Sequence, residues 1–70
     1  MINEFTLSGM IVQINKDDFI LLETENKSYV PIKCETEIKL NYLGEIVEVS
    51  GYLKQTNILE LVGTKIIKRD

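Results

Sequence analysis

The sequence has no histidine, no tryptophan and no alanine, and it holds one cysteine and one proline among 70 residues. Each absence narrows the reading. Without histidine, and with Cys34 alone, the common zinc-ligand sets cannot be assembled and no intramolecular disulfide can form. Without alanine, the best helix former, a helical architecture has little local support. No apolar run approaches the ~20 residues of a membrane-spanning helix. The opening Met-Ile-Asn-Glu-Phe has neither the basic start nor the apolar core of a secretory signal. A lone thiol without a disulfide framework points to a reducing compartment, so a cytoplasmic protein with no membrane partner and no cofactor is expected. A chain of this length forms one domain, 1–70, and buries only about 60% of its unfolded surface. With neither disulfide nor metal to reinforce so small a core, self-association as a homo-oligomer is the expected remaining support.

Positive charge is also scarce. Eleven acids against eight bases leave a net charge of −3, which argues against sequence-independent wrapping of duplex nucleic acid, where a basic footprint supplies the affinity. The imbalance is uneven. Residues 1–53 hold nine acids and four lysines, a balance of −5, whereas Lys54, Lys65, Lys68 and Arg69 outweigh Glu60 and Asp70 to give +2 in residues 54–70.

What is present is β-branched, aliphatic and arranged in alternation, which suits strands. Glu4 to Ile14 reads as a long first strand, with Phe5, Leu7, Gly9 and Ile11 on one face and Met10, Val12 and Ile14 on the other. Both faces turn apolar in its second half, as a strand serving two sheets requires, and Gly9 is the place for it to bend or bulge. Asn15-Lys16-Asp17-Asp18 is a turn by composition. Phe19 to Glu25 and Ser28 to Lys33 form a hairpin about Asn26-Lys27. Val30, Ile32 and Cys34 point inward, while Pro31, which cannot donate to a ladder, marks an edge. Residues 34–44 break the alternation and predict a short helix or 3₁₀ turn, ended by Gly44, that plugs one end of the fold with Ile38 and Tyr42 on one face. Glu45 to Lys54 is the clearest strand, Gln55-Thr56-Asn57 a turn, and Ile58 to Ile67 the last strand, with Gly63 a second bend. Five strands, a glycine bend in the first and an insert between the third and fourth describe the all-β OB-fold, a small Greek-key barrel used for oligonucleotides and oligosaccharides. An SH3-like barrel is the nearest competitor, but it would put its short turn between the last two strands.

Three segments carry a family likeness. Tyr29-Val30-Pro31-Ile32, Asn41-Tyr42-Leu43-Gly44 and Val47-Glu48-Val49-Ser50-Gly51-Tyr52-Leu53, with the opening Asn3 and Leu7-Ser8-Gly9, resemble bacterial single-stranded-DNA-binding protein. The primosomal replication protein of the same fold is a related resemblance. The likeness runs thinly over residues 3–67. It implies an OB barrel that binds single-stranded DNA, with Tyr29 at a stacking position. Glu35 stands where the family carries another aromatic, and the insert after Pro31 is about a helical turn shorter.

Single-strand binding needs aromatic platforms for bases and cations for the backbone. By alternation, Tyr29 and Lys33 lie outward on the third strand, Tyr52 and Lys54 outward on the fourth, and Phe19 opens the second. These five residues are the candidate platform for single-stranded DNA or RNA. The competing reading is that Phe19 and one tyrosine cap the barrel ends or sit in a subunit contact. Lys54, Lys65, Lys68 and Arg69 make either a phosphate-contacting edge or solvated surface. Glu23, Glu25, Glu48 and Glu60 read as polar outward positions on strands. Cys34 precedes two glutamates, whereas a reactive thiol needs an electropositive setting, so it reads as buried structure. No nucleophile, base and orienter fall together, and an enzyme is not expected. The alternative function is a protein-interaction or assembly module with an OB-like barrel and no nucleic-acid affinity, motivated by the acidic pI and by strand edges open to pairing.

Overall fold

The computed structural model describes residues 3–69; Met1 and Ile2 of the N-terminal segment, and Asp70 of the basic C-terminal quarter, lie outside the described residues. The chain is all-β. Five strands, β1 (Glu4–Asn15), β2 (Phe19–Glu23), β3 (Tyr29–Cys34), β4 (Ile46–Gln55) and β5 (Leu59–Lys68), close into a barrel in the order β1-β2-β3-β5-β4. Every pairing is antiparallel except β3 with β5, which is parallel and spans only Lys33↔Val62 and Cys34↔Gly63. This is the expected small OB-like barrel. Among the described residues no helix is long and apolar enough to cross a membrane.

The core follows from the inward half of each alternation. Ile11, Ile20, Leu22, Ile32, Cys34, Ile38, Val47 and Val49 are buried together, with Phe5, Leu7, Val30, Leu61 and Ile66 packed around them. Strand β1 serves two neighbours, pairing with β4 from Glu4 to Met10 and with β2 from Met10 onward. The bulge lies at Val12, between Ile11 and Gln13, and not at Gly9. One extra residue shifts the phase of a strand. Strict alternation puts Ile14 opposite Ile11, yet the bulge returns Ile14 to the core side, where it packs against the core and pairs with Ile20.

Glycine is required where strands pass too closely for a side chain. A Cβ at Gly9 would collide with the Glu23 carbonyl, and one at Gly51 with the Val62 carbonyl. The second close approach lies beside a register shift that leaves Thr64 of β5, next to Gly63, without a paired residue, though its hydroxyl donates to Ser50 O at 3.3 Å.

The segment before β4 contains a 3₁₀ turn, Leu40–Tyr42, and no longer helix. Ile38 precedes it on non-helical chain and is buried all the same. Its N–H donates to Asp18 Oδ1 at 3.0 Å, so the turn after β1 pins the plug over the barrel end. Gly44 N–H donates to Ile11 O at 2.8 Å and leads the chain into β4. Strand β2 stops at Glu23, because Thr24 N–H turns to Ser28 O at 2.8 Å and Lys27 takes a positive φ of 67°. Glu25 therefore lies in a turn rather than on a strand.

Because the Gly51 approach is backbone against backbone, Gly51→Ala is expected to lower stability by about 2 kcal/mol through overpacking, read as a fall in the urea midpoint. An unchanged midpoint would mean that β4 and β5 part to admit a methyl group at no cost.

Candidate functional site

Cross-strand partners place their side chains on one face of a sheet. The registers Phe19↔Lys33, Lys33↔Val62 and Tyr52↔Val62 therefore set Phe19, Lys33, Val62 and Tyr52 in one row across β2, β3, β5 and β4. The row points outward, since the flanking Ile20, Ile32 and Leu61 face the core. It crosses three strand spacings of about 4.8 Å each. Lys54 follows two residues beyond Tyr52 on the same face, opposite Glu60.

Between β3 and β4 the row sinks into a cleft of about 290 Å³, lined by Lys33, Cys34 and Glu35 of the β3 end and by Tyr52, Lys54, Glu60 and Val62. Val62 is buried apart from the main core cluster and lies in the lining of the cleft. Glu35 is held on both sides. Its N–H donates to Gly63 O at 2.8 Å, extending the β3–β5 ladder by one bond. Its carboxylate Oε2 accepts the Tyr52 hydroxyl at 2.9 Å. That hydrogen bond, with lesser contributions from burial and the carboxylate charge, holds the Tyr52 phenol above its ordinary 10.0. Among the described residues neither Lys33 nor Lys54 takes part in an ion pair. The cleft thus offers one aromatic ring, two cations, an apolar floor and two carboxylates, of which Glu35 is held by a phenol and Glu60 lies opposite Lys54.

Four of the five residues singled out from the sequence, Phe19, Lys33, Tyr52 and Lys54, fall together in this way. Phe19 is 38% exposed. Tyr29 does not join them. It is 58% exposed and lies four residues from Lys33 along β3, or about 13 Å of strand. There it faces Glu23, and hydrogen bonding to that carboxylate, followed by its charge, raises the Tyr29 phenol above 10.0. Outward Leu21 and Pro31, paired with each other, bridge the two ends.

The basic C-terminal residues do not form one edge. Lys54 sits at the hairpin end of β4, whereas Lys68 lies at the far end of β5, opposite Val47. Lys68 is bound to Glu45 at 3.9 Å and covers the Tyr42 ring at 5.7 Å, and Arg69 binds Glu48 at 3.1 Å. Glu35, Glu60 and Val62 were not legible as site residues. Glu60 and Val62 meet Lys54 and Tyr52 through the β4–β5 hairpin, but Glu35 joins them only through the parallel β3–β5 pairing, which links segments about thirty residues apart and leaves no local trace.

Directly beneath the row, Cys34 points inward beside Ile32 in the core. Burial, with a lesser contribution from the Asp18 charge, pushes its thiol up from 9.0 to about 11. A pKa raised on folding gives stability that is complete below the unfolded value and lost as pH rises through the folded one. Stability is therefore expected to fall between pH 9.0 and about 11, and Cys34→Ala should remove that part of the fall. Urea midpoints of both proteins across this window test it; parallel pH profiles would exclude the thiol as the cause.

No protein-family model matches this chain, and no curated protein matches it significantly in sequence.

Proposed function

We propose that this chain is a minimal single-stranded nucleic-acid-binding protein that engages DNA or RNA across the outward face of β2, β3, β5 and β4. The observation that carries the reading is the row Phe19, Lys33, Val62 and Tyr52 with Lys54 beside it. Aromatic rings at the two ends of one row suit bases, each stack contributing about 1–3 kcal/mol. Two ammonium groups between and beside them, free of ion pairs among the described residues, suit the phosphates that link those bases. Its β2–β3 part, with Phe19 and Lys33, belongs to the face that OB barrels present to oligonucleotides. The resemblance of the β3 and β4 segments to bacterial single-stranded-DNA-binding protein supports the same face, and the lone unbridged thiol supports a cytoplasmic setting. The acidic balance of the chain keeps binding weak and favours a short, local footprint.

Fluorescence anisotropy of labelled oligonucleotides at low salt is expected to show binding that Phe19→Ala and Tyr52→Ala each weaken by about 1–3 kcal/mol. Tyr29→Ala should weaken it less. With two phosphates neutralised, the slope of log K against log salt should be about −1.4, and Lys54→Ala should reduce it by about 0.7. No change in anisotropy up to high micromolar protein would sink the proposal.

A second reading, a self-associating protein-interaction module, draws on a different observation. Leu40 is 79% and Ile58 64% exposed, and Leu43, Ile46, Leu59 and Ile67 are exposed as well. A stable oligomer in sedimentation without oligonucleotide affinity favours this reading, and a strict monomer counts against it.

A further inference from the structure

We propose that Glu35 makes the cleft selective for bases that present hydrogen-bond donors, guanine above all, over thymine or uracil. The inference rests on the nucleic-acid reading above and adds to it which bases the site takes.

A carboxylate in a phosphate-binding cleft weakens phosphate binding, so its placement calls for a use. Glu35 is not neutralised by the neighbouring lysines: among the described residues it forms no ion pair with Lys33 or Lys54. Instead Tyr52 donates to Oε2 at 2.9 Å, and the Glu35 N–H is tied to Gly63 O at 2.8 Å. One contact fixes the head of the side chain and the other its root. An ionised carboxylate is an acceptor only, with about four lone-pair sites. The phenol bond uses one of these sites on Oε2, and among the described residues Oε1 enters no ion pair. Tyr52 and Val62 supply the ring and the floor against which a base can lie. The edge of that base then meets fixed acceptors.

Base chemistry sorts itself against such a group. Guanine presents two adjacent donors, N1–H and the 2-amino group, which match the two carboxylate oxygens. Cytosine offers its 4-amino donor, the contact that Glu and Asp make with cytosine elsewhere. Thymine and uracil present carbonyl oxygens on both sides of one N–H, and these oppose the carboxylate. A matched pair of this kind is worth on the order of tenfold in affinity. The 2-amino group is the discriminating donor, since hypoxanthine keeps N1–H and lacks it.

The test compares oligonucleotides of about 12 nucleotides, within the range one OB barrel covers, by fluorescence anisotropy with the whole chain. The probes are oligo(dT), alternating d(GT), and d(GT) with every guanine replaced by inosine. The wild type is expected to bind d(GT) on the order of tenfold more tightly than oligo(dT), with the inosine probe between them. Glu35→Gln keeps an oxygen to accept from Tyr52 but removes the charge and adds a donor. It should tighten oligo(dT) binding and bring the d(GT)-to-(dT) ratio close to unity. Glu35 is exposed, so this variant is expected to fold, and its urea midpoint checks that. If Glu35 acts only by repelling phosphate, all probes tighten equally in Glu35→Gln and the ratio stays, which overturns the inference and leaves the nucleic-acid reading standing. A wild-type ratio of one does the same. Absence of binding to every probe overturns both.

Discussion

Closure of the barrel depends on a parallel contact only two residue pairs long, Lys33↔Val62 and Cys34↔Gly63, continued by the bond from Glu35 N–H to Gly63 O. Parallel pairing is slightly weaker per residue than antiparallel pairing, and this one joins chain segments far apart in sequence, so local structure does little to support it. Its surroundings supply what the ladder does not. Ile32 and Cys34 bury their side chains on the inner side, and the side-chain-free Gly63 lets Val49, Ile32 and Cys34 crowd against it. On the next pair of strands the close crossing of Gly51 over Val62 brings β4 near enough for Tyr52 to reach Glu35. Both the core and the cleft depend on the same short seam.

That dependence joins stability to chemistry at neighbouring residues. Inward Cys34 has its thiol raised by burial, while outward Lys33 and Glu35, adjacent to it in the chain, line the cleft. The alternation of a single strand end thus separates an apolar environment from a charged one. The plug behaves similarly. Ile38 seals the barrel because Asp18, in the turn after β1, accepts its N–H. The acidic turn between β1 and β2 therefore has structural work, which accounts for part of the negative charge near the proposed binding face. Lys68 and Arg69, bound to Glu45 and Glu48, hold the far end of β5 against β4, so much of the basic C-terminal quarter is engaged in the barrel itself.

The alternating aliphatics of residues 4–14 and 45–54, the compositional turns at 15–18 and 55–57 and the broken pattern of 34–44 were enough to read a five-stranded barrel with a plugged end. They were enough because alternation and turn chemistry are local. The same alternation placed Tyr29, Lys33, Tyr52 and Lys54 outward, and the register put the last three together with Phe19, which opens the second strand. It misled at Ile14, where the bulge at Val12 shifted the phase, and at Glu25, where β2 ended early.

By itself the sequence determined the strand content, the inward and outward faces and the absence of disulfide and histidine chemistry, because each depends on residue type and nearest neighbours. Only the tertiary structure decided that Tyr29 stands apart from Tyr52, that Lys54 and Lys68 lie at opposite ends of one hairpin, and that Glu35 meets Tyr52 over Val62. Those relations turn on which strands pair and in what register, and register is set by packing across the whole barrel, not by any single segment of the chain.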